Sequence, residues 1–194
     1  MHKIHHTHGF VLGSRNVGEA NKILTIYTRE MGLIRATAQG IRLAKSKLRY
    51  SLQDFSYAKI DLVHGRDIWR VTSATTITSF PYTRSDKQSL ILIARIVKLL
   101  ERLCDTEEPN IKIFDDLIKS LYLLDVVDVD PMLREALELH LVLRVMHTLG
   151  YIEESTILNQ YLNADFDNES IESLLKEKRS IISHINKAIN ESQL

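Results

Sequence analysis

Lys22-Ile23-Leu24-Thr25-Ile26-Tyr27-Thr28, then Glu30-Met31-Gly32, then Leu33-Ile34-Arg35-Ala36-Thr37-Ala38-Gln39-Gly40 decide the fold of the first half of the chain. The first run is rich in β-branched and aromatic residues, which suit a pleated, half-buried surface. The middle is a turn, because glycine accepts a positive φ without a steric penalty. The third run resumes a strand and stops at Gly40. On the N-terminal side, Gly9-Phe10-Val11-Leu12 is a short apolar run ending near Gly13. On the C-terminal side, Phe55 to Val63 alternates, with Ser56, Ala58, Ile60 and Leu62 on one face. His64-Gly65-Arg66-Asp67 then turns the chain into Ile68-Trp69-Arg70-Val71-Thr72. Five strands at this spacing predict a small closed barrel. A longer basic segment, Ile41 to Gln53, lies between the third and fourth strands.

The pattern changes near Ser79 to Ser85, around Pro81, and helices follow. This divides the chain into residues 1–80 and 81–194, an α+β protein with a β-barrel followed by an all-α domain. Ser85-Asp86-Lys87-Gln88 reads as a capping box, Ser with Gln three residues on. The helix it opens carries Leu92, Ile96, Leu99 and Leu103 at helical spacing, with Arg95, Lys98 and Arg102 on another face. Asp130-Pro131 reads as an N-cap followed by proline at the first helical position. Met132 to Leu149 is apolar nearly all round, which predicts a buried central helix with Gly150 ending it. A last helix is expected over about Asn168 to Asn190, with Ile171, Leu174, Leu175, Ile182, Ile185 and Ile189.

The 194 residues are 44% hydrophobic and 26% charged, a globular composition that excludes a disordered chain. Seven Gly and three Pro exclude collagen-like or low-complexity structure. The single cysteine, Cys104, forms no internal disulfide and no Cys-rich zinc site. No stretch reaches the roughly 20 apolar residues of a membrane span, and Arg95 interrupts the greasiest run, Ser89 to Ala94. The first residues, Met1 to His8, show no signal-peptide core, so a cytoplasmic protein is expected. The zero net charge conceals a division. Residues 1–83 hold twelve Lys/Arg against five Asp/Glu, and residues 84–194 hold thirteen against twenty. A basic module is the electrostatic footprint of a polyanion partner.

Arg35, Arg42, Lys45, Lys47 and Arg49 fall within fifteen residues that contain no acid. Such a loop beside a barrel, with aromatics near, suits a single strand, whose backbone charge tracks the cations while bases stack on rings. Tyr50 and Phe55 lie in the right region, although both are expected in the core. His2, His5, His6 and His8 form a cluster expected on a frayed terminus, without the matched ligands of a structural zinc site. His140 and His147, seven apart on one helix, are expected as satisfied, half-buried histidines. No Walker or dinucleotide loop follows Gly13 to Gly18, and no nucleophile elbow occurs. Cys104 reads as a small core residue. The acids Asp115-Asp116, Asp125, Asp128, Asp130 and Glu153-Glu154 are expected near helix ends, where they complement the dipole. No enzyme and no cofactor are indicated.

Several segments together resemble the bacterial recombination mediator family RecO. They are Val11-Leu12, Arg15, Gly18-Glu19, Leu24 to Gly32, Ala36 to Arg42, Ser46-Lys47-Leu48-Arg49 and Leu52 to Ser56. Their order and spacing are similar to the family's N-terminal oligonucleotide-binding (OB) fold across roughly residues 8–78. Leu143-Arg144-Val145-Met146 and Leu149-Gly150-Tyr151 resemble a stretch of its helical domain. Many members carry a four-cysteine zinc site after that Gly-Tyr. Here Tyr151-Ile152-Glu153-Glu154-Ser155 continues without cysteine, so no metal is expected. Asn21 and Val142 also depart from residues common in the family, where Asp and Glu stand, and the chain is short for it.

The resemblance implies binding of single- and double-stranded DNA, annealing of complementary strands, and, with RecR, help in loading RecA onto strands coated by single-strand-binding protein. It implies a nucleoid-associated cytoplasmic protein with no membrane partner. The DNA-binding residues are then Arg15, Lys22, Arg35, Arg42, Lys45, Lys47 and Arg49. The helical half would receive the acidic C-terminal tail of single-strand-binding protein. Its candidates are Arg95, Lys98, Arg102 and Arg144, since a buried tail carboxylate needs a cation beside an apolar pocket. For Arg144 the competing reading is an ion pair with an acid such as Glu138. Two other classes stay open: an OB-fold RNA-binding protein, and a protein-interaction adaptor that touches no nucleic acid.

Overall fold

The computed structural model describes residues 3–66, 68–104, 107–153, 156–162 and 168–191. His2, Asp67, Glu154 and Ser155 lie outside the described residues, as does the side chain of Ile171. Five strands, β1 (Ile4–Val17), β2 (Asn21–Thr28), β3 (Gly32–Ala38), β4 (Tyr57–His64) and β5 (Trp69–Thr78), close into a barrel in the order β1-β2-β3-β5-β4. A four-residue helix, α1 (Leu48–Ser51), sits between β3 and β4. All neighbours are antiparallel except β3 and β5, which meet in parallel through Ala36↔Trp69 and Thr37↔Arg70.

The period of two along each strand places alternate side chains inside. The inward pairs Leu24↔Ala36 and Ile26↔Ile34 join Ala58, Ile60, Leu62 and Val71 in the barrel core. Gly9 is required there: a Cβ at this position would stand 2.7 Å from Ile26 and 2.9 Å from Ile60. The expected inward set of the fourth strand, Ser56, Ala58, Ile60 and Leu62, is fully buried.

β1 spans 14 residues, far beyond the short run from Gly9 to Leu12 expected from the sequence. A bulge between Val11 and Gly13 bends it, so that its first part pairs with β4 and its second with β2. The histidine-rich start is therefore strand and not a frayed terminus. His6 Nδ1 lies 2.6 Å from Asp61 Oδ1, His5 meets Trp69 edge-on at 5.1 Å, and His8 lies against Tyr57. Phe10-Val11-Leu12 is a continuous apolar run because both faces are covered. Val11 enters the barrel core, whereas Phe10 and Leu12 join a second core made by the helices.

Eight helices in all are assigned among the described residues. After α1 come α2 (Pro81–Ser85), α3 (Lys87–Leu103), α4 (Ile111–Leu124), α5 (Pro131–Thr148), α6 (Thr156–Leu162), α7 (Asn168–Lys176) and α8 (Lys178–Glu191). The cap of α3 is Asp86, not Ser85. Its carboxylate accepts from Ser89 N at 2.9 Å and Ser89 Oγ at 2.6 Å, and these bonds hold its pKa below the usual range. Ser85 instead closes α2, donating its hydroxyl to Tyr82 O. Asp130 caps α5 through Met132 N, and Pro131 follows as expected. Gly150, at φ 81°, ends that helix. The single last helix expected from the sequence is two, broken at Glu177, and both α7 and α8 pack on α5.

α5 is central, touching α3, α4, α6, α7 and α8. One core joins Phe10, Leu12 and Tyr27 of the barrel to Phe80, α3, α4 and one side of α5; another joins its far side to α6, α7 and α8. Tyr27 lies tilted against Phe114, ring centres 6.0 Å apart, and burial raises its phenol pKa. Cys104, buried, belongs to the same core. Arg29 adds a two-pronged bond to Asp115, at 2.9 and 3.1 Å. Gly32, at φ 66°, is fixed by the helical half as well, because a Cβ there would lie 2.4 Å from Glu108 O. Among the described residues no helix is long and apolar enough to cross a membrane.

Candidate nucleic-acid interface

The pairs Arg15↔Ile23 and Thr25↔Arg35 fix the outer face of β1, β2 and β3, since Leu24 and Ile26 point inward. Arg15 and Arg35 are exposed there. Together with Ile23, Thr25 and Leu33 they line a groove whose other wall is His64, Ile68 and Trp69. Glu101 and Glu107 of the helical half form its acidic rim. Trp69 is held in place: its indole Nε1 donates to Glu107 Oε1 at 3.0 Å, and His64 meets its ring edge-on at 4.7 Å.

The other sequence-derived cations are elsewhere. Lys22 shares the inward parity of Leu24 but sits at the strand end, at the mouth of the barrel. It lines a separate cleft with Ile41, Arg42, Arg49, Leu52, Gln53, Asp54 and Arg84. Lys22 Nζ donates to Ser14 Oγ at 3.0 Å, and Arg42 Nη1 to Gly18 O at 2.9 Å. Lys45 and Lys47 are exposed on the loop between Gly40 and α1, lining neither the groove nor the cleft. Among the described residues none of these seven cations is in an ion pair. Their field is thus open to a polyanion.

Of the two aromatics expected in the core, only Phe55 is there, stacked on Phe10 at 6.4 Å. Tyr50 is 67% exposed, because α1 turns its ring outward beside Arg49. Sequence reasoning missed Trp69 and His64 as residues lining the groove and Arg84 as one lining the cleft. Trp69 reaches the groove only through the parallel β3–β5 contact, which has no local signature. Its one readable signal is that it is the sole tryptophan, placed just after a turn.

In the helical half, Arg144 Nε lies 2.9 Å from Asp116 Oδ2, with side chains 12% and 6% exposed. The partner is Asp116 and not Glu138, because Glu138 is held by Arg95 through two contacts of 2.8 Å. Asp115 and Asp116 were expected near a helix end; they lie inside α4. Burial raises the Asp116 pKa, with Arg144 opposing. Burial raises that of Glu138 too, against the pull of Arg95. Lys98 and Arg102 are exposed on α3. His140 is buried, its Nε2 2.6 Å from Tyr161 O, and burial lowers its pKa to about 4. Among the described residues no three His, Cys, Asp or Glu side chains gather as a metal site.

A closed five-stranded barrel with a helix between its third and fourth strands, a cationic outer face and an aromatic beside it define an OB-fold protein. The family model for the recombination protein O N terminal matches residues 1–80. Similar curated proteins, each named DNA repair protein RecO, come from several bacteria. That of Pelotomaculum thermopropionicum is 34% identical over 149 residues, 77% of this chain and 56% of the relative. That of Alkaliphilus metalliredigens is 33% identical over 138 residues, 71% and 53% respectively. That of Desulfitobacterium hafniense is 30% identical over 148 residues, 76% and 52%. Residues 1–80 thus match the RecO family's N-terminal model, the similarity to RecO proteins runs over most of this chain, and the chain spans about half the length of the curated relatives it matches.

Proposed function

We propose that this chain is a DNA repair and recombination mediator. It binds single- and double-stranded DNA, anneals complementary strands and, with RecR, helps RecA load onto strands coated by single-strand-binding protein. It acts in the cytoplasm, at the nucleoid. The observation that carries this reading is the set of exposed cations on the barrel that, among the described residues, have no ion-pair partner, with Arg15 and Arg35 facing Trp69 across one groove. Such a surface neutralises phosphates without reading sequence, and it leaves bases free to pair. The chemistry required is binding, not bond making.

For the carboxylate-ended tail of single-strand-binding protein, the candidates that are accessible and, among the described residues, outside any ion pair are Lys98 and Arg102 on α3. Arg95 and Arg144 would each have to release a carboxylate first.

The deciding experiment compares affinity for single-stranded DNA, duplex DNA and RNA at two salt concentrations. Replacing Arg42, Lys45, Lys47 and Arg49 with Ala is expected to lower the single-strand salt slope by about 3, at roughly 0.7 per phosphate contact. Preference for RNA would favour an RNA-binding barrel, and absence of any salt-dependent binding would leave only the adaptor.

A further inference from the structure

Lys22 and Ile23 are consecutive residues of one strand, so their side chains leave the sheet on opposite faces. Ile23 lines the groove with Arg15 and Arg35; Lys22 lines the cleft with Arg42, Arg49 and Arg84. The two sites share no lining residue and lie on opposite faces of one strand. We propose that they are two separate nucleic-acid sites, and that the cleft, closed by Arg84, holds the second strand while the groove holds the first. This rests on the reading of the chain as a DNA-annealing protein.

The cleft is built for an anion. Four cations converge on it against a single carboxylate, Asp54. Arg84 comes from α2, in the helical half, and its Nη1 donates to the backbone oxygen of Asp54 at 2.9 Å. Arg42 is anchored in the same manner on Gly18 O. A guanidinium has five N–H donors, so a fork fixed by one bond keeps others for phosphate oxygens. Positions fixed in advance lose little freedom on binding.

The occupant is a strand and not a small anion. Tyr50 follows Arg49 on α1 and is 67% exposed, a platform on which a base can stack. Lys45 and Lys47 continue the positive charge along the preceding loop, beyond the reach of one phosphate. Annealing requires two strands near one another with both backbones neutralised. Two sites on opposite faces of one strand supply that without a second copy of the chain.

Calorimetric titration of the full chain with hexathymidylate tests this. The expected stoichiometry is two oligonucleotides per chain, falling to one for Arg49→Ala/Arg84→Ala and to one for Arg15→Ala/Arg35→Ala. Annealing of complementary oligonucleotides, followed on gels, should slow more than tenfold in either double variant. Because Arg84 also anchors backbone, Arg49→Glu serves as a second cleft variant that touches only an exposed side chain. One equivalent for the wild-type chain, or unchanged stoichiometry in both cleft variants, overturns the proposal. So does displacement of the second equivalent by inorganic phosphate at equal concentration, which marks a small-anion site. Absence of any binding by the wild-type chain strikes the DNA-binding reading itself.

Discussion

The barrel and the helical half use similar numbers of cations in opposite ways. On the barrel, Arg15, Arg35, Lys45, Lys47 and Arg49 are exposed and, among the described residues, outside any ion pair. In the helices, Arg95, Arg134 and Arg144 are tied to Glu138, Asp86 and Asp116, and Lys178 to Glu135. Charge in the first region is held available for a ligand. In the second much of it is consumed in fixing the architecture. Substitutions should therefore separate binding from stability, region by region.

The strongest challenge to treating the regions as separate is Phe10, a barrel residue in the helical core. Phe10→Ala is expected to cost about 4 kcal/mol. It should lower the stability of strands and helices together. A single transition in urea, coincident by far-ultraviolet circular dichroism and by native-state hydrogen exchange, is the expected result. Separate transitions would show two independently stable units.

Next comes the buried pair. Arg144→Ala leaves Asp116 uncompensated in the interior, for an expected loss of about 3 kcal/mol, measured by the same denaturation. Replacing both members with apolar residues of similar volume should recover most of it. DNA affinity should not move in either case.

His140 gives the region a pH dependence of similar size. Above about pH 6.5 its imidazole is neutral in both folded and unfolded chains. Between there and its folded pKa of about 4, the unfolded chain takes up a proton that the buried ring refuses. Stability then falls by up to about 3 kcal/mol in total and levels off below the folded value. His140→Gln should flatten that part of the stability profile.

The smallest effect sharpens the comparison from the other side. Lys45→Ala/Lys47→Ala should leave the denaturation midpoint where it is, since both side chains are exposed. The same variant should bind single strands with a shallower salt dependence, by about 1.4 in slope.

The two regions also differ in how much of each could be read in advance. The β2–β3 hairpin was legible because alternation and a turn glycine agree along Lys22 to Gly40. The closed barrel, the caps at Asp130 and Gly150 and the central α5 were legible for the same reason: local signals suffice. β1 was not, because its first half alternates histidines whose partners, Asp61 and Trp69, are more than fifty residues away. α4 went unread although Asn110 caps it and Ile113, Leu117 and Leu121 repeat at helical spacing. The break at Glu177 has no glycine or proline to announce it. Within the interface, the type of residue was readable and the placement was not. Arg35 to Arg49 were visible as one basic set of five, with Arg15 and Lys22 added by the resemblance, but the fold places Arg15 and Arg35 on the groove and Lys22, Arg42 and Arg49 on the cleft. Arg84 joins them only through tertiary folding.

Trp69 is the chain's only indole, and it stands at the seam. Its ring borders the groove, its N–H reaches a glutamate of the helical half, and two imidazoles flank it. The protein thus carries a built-in optical reporter at the place where ligand, barrel and helices meet. Its emission colour and yield should respond to a ligand entering the groove and to parting of the two halves, with no label attached.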